Sequence, residues 1–98
     1  MPIDPIEVKK CLMVTSSLSA AERECQGEGW DFEEAQDAVQ DAAVELIADA
    51  PRELRNSFET VCAWHRWNAI FKAAANKEDA SAMMKAQAAM DALLAGVH

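Results

Sequence analysis

DFEEAQDAVQDAAVELIADA, residues 31–50, is the stretch whose reading decides the fold. Within it Phe32, Ala35, Val39, Ala42 and Leu46 recur at alternating steps of three and four, the seam spacing of a helix packed against neighbours. Ala43 and Ile47 fall on the same half of the helical wheel. Asp31 stands at the capping position with Glu34 three residues on, a capping box, and Trp30 precedes it at the staple position. An amphipathic helix over 32–49 follows.

The other half of that wheel is acidic. Glu33, Asp37, Asp41, Glu45 and Asp49 occupy every fourth position, Glu53 continues the series, and no Lys or Arg falls between Arg23 and Arg52. Like charges four apart on a helix repel by about 0.2–0.5 kcal/mol per pair. The positive end of the helix dipole favours Glu33, Glu34 and Asp37 near the N-terminus, but it opposes Glu45 and Asp49 near the C-terminus. A solvated face accounts for the first group. The second carries a cost that folding alone does not require, and it points to a cationic partner.

Charge elsewhere sharpens the contrast. The chain has 98 residues and a net charge of −8. Residues 22–53 hold 11 acids against 2 arginines, and the remainder holds 6 acids against 7 bases. Such a field disfavours direct contact with a nucleic-acid backbone or an anionic membrane and favours a basic protein surface. Mimicry of a nucleic acid is one form of this. A ladder at four-residue steps places one charge per about 6 Å of axis, against one per about 1.7 Å on duplex DNA. The match is therefore to a short tract of one strand, with Glu22, Glu24 and Glu28 available to raise the density.

Working outward, MPIDPIEVKK opens a first helix, with Asp4 as cap, Pro5 at the first helical position and Glu7 completing a capping box. Apolar spacing at Cys11, Val14, Leu18, Ala21 and Cys25 carries this helix over roughly 5–25. Thr15-Ser16-Ser17 and a second capping box, Ser19 to Glu22, are equally compatible with a break near 15–18. Gly27-Glu28-Gly29 ends the element, and Ala50-Pro51 separates the acidic helix from the next. That third helix is expected over 52–75, with Leu54, Phe58, Val61, Cys62, His65 and Ala69 on one side and Trp64, Trp67, Phe71 and Ala74 beside them. Asn76 to Asp79 forms a turn. The last helix, 80–95, shows Met83, Ala86, Met90 and Leu93 at seam spacing and Gly96 as its cap. The expected fold is all-α: one domain, 1–98, built as a compact bundle of about four helices. Twenty alanines favour close helix packing but bury little area each, so a homodimer sharing apolar surface is a further expectation.

Chemistry-bearing motifs are sparse. Cys62 and His65 lie three apart, but a zinc site needs further ligands that would have to converge from Cys11, Cys25 or His98. A Cys62–His65 nucleophile pair lacks an orienting third residue and a glycine-rich turn. Glu-x-x-His pairs for a di-metal centre, phosphate loops and dinucleotide-binding glycines do not occur. No enzyme, cofactor or metal is expected. Three widely spaced cysteines build no disulfide framework, and neither a signal peptide nor a membrane span is read, so the expected setting is cytoplasmic.

Two functions remain. In the first, a non-catalytic interaction module presents Glu33, Asp37, Asp41, Glu45 and Asp49 to a basic partner, with Trp64 and Trp67 as anchors. It would act by occluding a nucleic-acid-binding protein, as small acidic inhibitors of phages and mobile elements do. In the second, the chain is a structural or oligomerisation subunit that uses a Trp/Met surface, with Met83, Met84 or Met90 beside the tryptophans.

Overall fold

The computed structural model describes residues 4–27 and 29–96. Among them the chain is all-α, with helices α1 (Pro5–Thr15), α2 (Leu18–Gly27), α3 (Phe32–Asp49), α4 (Phe58–Asn76) and α5 (Ala80–Ala95), plus a short 3-10 turn at Arg52–Leu54. No strand occurs among the described residues, and no helix is long and apolar enough to cross a membrane. The contacts group into two units, Met1–Asp49 and Ala50–His98.

In the first unit, α1, α2 and α3 pack on one another in all three pairings. Asp4 caps α1 as expected, its carboxylate accepting from the Ile6 N–H at 3.0 Å. The helix ends where the serines begin. Ser16 adopts a left-handed conformation (φ 54°) and donates its N–H to the Leu12 carbonyl at 2.8 Å. Ser17 Oγ then accepts from the Ala20 N–H at 3.3 Å, so the cap of α2 is Ser17, two residues before the Ser19 box. Thr15 and Ser17 also bond to each other through the Thr15 hydroxyl. Short hydroxyl side chains offer the backbone partners that compete with the helical ladder, and here they prevail over the apolar periodicity.

That break resets the core. Val14, expected on the seam, is 76% exposed, while Val8 and Leu12 are buried instead. Ala21 and Cys25 are buried on α2 as expected, and Leu18 is left exposed at the first position of that helix. Gly29, with φ +89°, makes the turn into α3 in a region few residues other than glycine adopt. On α3 the buried row is Ala35, Val39, Ala42, Ala43 and Leu46. Phe32 was expected to begin it but is 56% exposed. It occupies the first helical position, and the buried row starts three residues later.

The second unit is an αα-hairpin of α4 and α5, with the 3-10 turn packed on α5. The expected helix over 52–75 starts later, at Phe58. Pro51 and the buried Leu54 hold the 3-10 turn, the Arg55 guanidinium donates to the Ala50 carbonyl at 3.3 Å, and Ser57 supplies the cap by accepting from Thr60 N–H at 3.4 Å. A serine in extended conformation three residues after the turn is a better helix start than a continuation through Arg55-Asn56. At the other end, Glu78 N–H bonds to the Ala75 carbonyl and Asp79 N–H to the Ala74 carbonyl, a Schellman motif with Glu78 left-handed at φ 56°. Asp79 also caps α5 through Ala82 N–H at 3.1 Å. The seam of α5 follows its reading: Ala86 and Met90 are buried, Met83 and Leu93 half-buried, and Gly96 caps the end.

Candidate acidic helix face

The site is built by α3. Its apolar half is committed to α1 and α2, which fixes the helix about its own axis and turns Glu33, Asp37, Asp41, Glu45 and Asp49 to solvent, all five exposed. Over these residues the carboxylates span about 24 Å of axis. Steps of four residues overshoot a full turn by about 40°. The row is therefore an inclined band that winds round the outer surface from Glu33 to Asp49, not a straight ridge. Glu53 is not on this helix: α3 ends at Asp49, and Glu53 lies in the 3-10 turn Arg52–Leu54.

One carboxylate is neutralised from within. Lys9 on α1 reaches Glu45 at 2.6 Å, with both side chains partly exposed. A pair this open to water contributes about 0–1 kcal/mol. It offsets part of the repulsion along the band, which amounts to about 1–2 kcal/mol over the four neighbouring pairs on α3. Among the described residues, Glu33, Asp37, Asp41 and Asp49 enter no ion pair; the remaining one in this unit joins Lys10 to Glu7 on α1 at 3.7 Å. The role of Lys9 was missed in the sequence because its helix and α3 are distant in the chain, and no local spacing joins them.

Val44 was also missed. It lies beside the carboxylate band on the outer surface and is 66% exposed, which makes that face partly apolar. Its wheel position, opposite Ala42 and Leu46, was legible in the sequence.

Trp64 and Trp67 belong to the second unit. Trp67 is 37% exposed and Trp64 half-buried, its ring edge-on to that of His65 at 5.1 Å between centroids. Ile70, 45% exposed, and the half-buried Phe71 extend the same side of α4. Of the adjacent methionines, Met84 is 72% exposed and Met83 half-buried, in keeping with their different directions on α5. Trp30 is half-buried in the turn before α3.

None of the three cysteines forms a disulfide: Cys25 and Cys62 are buried, and Cys11 is partly accessible in a cleft of about 310 Å³ lined by Glu7, Lys10, Val14, Thr15 and Glu24. Burial, and then the negative charge of Glu24, push the Cys11 thiol above its ordinary pKa. That is the opposite of what an activated nucleophile needs. Among the described residues no three His, Cys, Asp or Glu side chains come together as a metal would require, and His98 lies outside those residues. Comparison with protein-family models, with curated proteins and with solved structures gives no match to this chain.

Proposed function

We propose that this protein is a non-catalytic interaction module that offers the acidic band of α3 to a cationic protein surface, covering a site that otherwise holds an anionic ligand such as a nucleic-acid strand. The observation that carries this reading is the set of four exposed carboxylates on α3 that enter no ion pair, on a helix whose opposite side is buried. Their repulsion is not relieved inside the chain, and a basic partner relieves it. The inclination of the band suits a helix as that partner. Rows of residues four apart slope about 26° to the helix axis, so an acidic and a basic row of this kind align when two helices cross near −50°. Val44 then supplies an apolar contact beside the charged one.

The test is reversal of Asp37 and Asp41 to Lys, which leaves the Lys9–Glu45 pair intact. Wild type should capture a basic protein from cell extract at low salt and release it as ionic strength rises, because exposed charges are screened over about 8–10 Å at physiological salt. The double reversal should lose that capture while keeping its helical content. Equal capture by both forms overturns the proposal.

A second reading rests on the exposed apolar side chains of the hairpin, Trp67, Ile70 and Met84. In it the chain is a structural or self-associating subunit and the acids keep the assembly in solution. Salt-insensitive association that Trp67→Ala abolishes, with the hairpin still folded, selects this reading.

A further inference from the structure

We draw no further inference here: the strongest candidate, the face of α4 formed by Trp67 and Ile70 with the half-buried Trp64 and Phe71, is an unpartnered apolar surface, and nothing in the structure shows what covers it.

Discussion

Asp41→Asn measures what the acidic band costs. Asp41 is exposed, enters no ion pair among the described residues, and sits mid-way along α3, where the helix dipole has little effect on a single charge. Asparagine matches aspartate in size and in helix propensity, so the substitution removes a charge and little else. Two like-charge neighbours, Asp37 and Glu45, lie four residues away on either side. A pair of unneutralised like charges is worth about 0.2–0.5 kcal/mol, and Lys9 neutralises Glu45, so Asp41→Asn should stabilise the protein by about 0.2–0.5 kcal/mol at low ionic strength, chiefly through Asp37. With a urea slope near 1 kcal/mol/M for a protein of this size, the unfolding midpoint rises by about 0.2–0.5 M. Urea followed by far-ultraviolet circular dichroism is the suitable assay, since guanidinium salts would screen the effect being measured. Salt supplies the control. Neighbouring charges are about 6 Å apart along the axis, well inside a screening length of about 30 Å at 0.01 M and outside one of about 3 Å at 1 M. The gain should therefore disappear in concentrated salt. A destabilised variant, or the same gain at both salt concentrations, refutes the claim that the band is under electrostatic strain.

Other outcomes follow from the packing and the turns. Leu46→Ala, at a buried α3 position, should cost about 2–5 kcal/mol, whereas Val44→Ala, two residues away and 66% exposed, should change stability by less than about 0.5 kcal/mol; thermal unfolding of the two variants side by side checks this. Glu78→Gly should stabilise by about 0.5–1 kcal/mol, because a non-glycine residue in the left-handed region carries about 1–2 kcal/mol and glycine's extra unfolded-state freedom returns part of it. Glu78→Ala, which keeps the strain, should show no such gain in the same urea titration. Cys11 should be the thiol that alkylates in the native protein, since Cys25 and Cys62 are buried. Its thiol is held protonated to higher pH than usual by burial and by Glu24, so its rate should rise at higher pH than that of a free thiol, and Glu24→Gln should shift the profile downward.

Much of this protein was legible in its sequence because the relevant signals are local. The seam of α3 from Ala35 to Leu46, the Asp4 and Asp79 caps, the Met83–Leu93 row of α5 and the exposure of the five acids all follow from helical period and capping chemistry, which act within one or two turns. Where two local signals competed, the sequence did not settle the helix boundary. At Thr15-Ser16-Ser17 apolar spacing argued for continuity and hydroxyl side chains for a break; at Pro51 to Ser57 the sequence was read as a helix from Arg52, and the Ser57 cap overturns that reading. Local capping decided both cases, since Ser17 Oγ accepts from Ala20 N–H and Ser57 Oγ from Thr60 N–H, and those bonds fix where each helix starts. The candidate site divides differently. Five carboxylates at four-residue spacing are a property of the chain, but the pairing of Glu45 with Lys9 and the exposure of Val14 and Phe32 are not. Charge and apolar contacts between residues far apart in sequence exist only after folding, and no period along the chain encodes them.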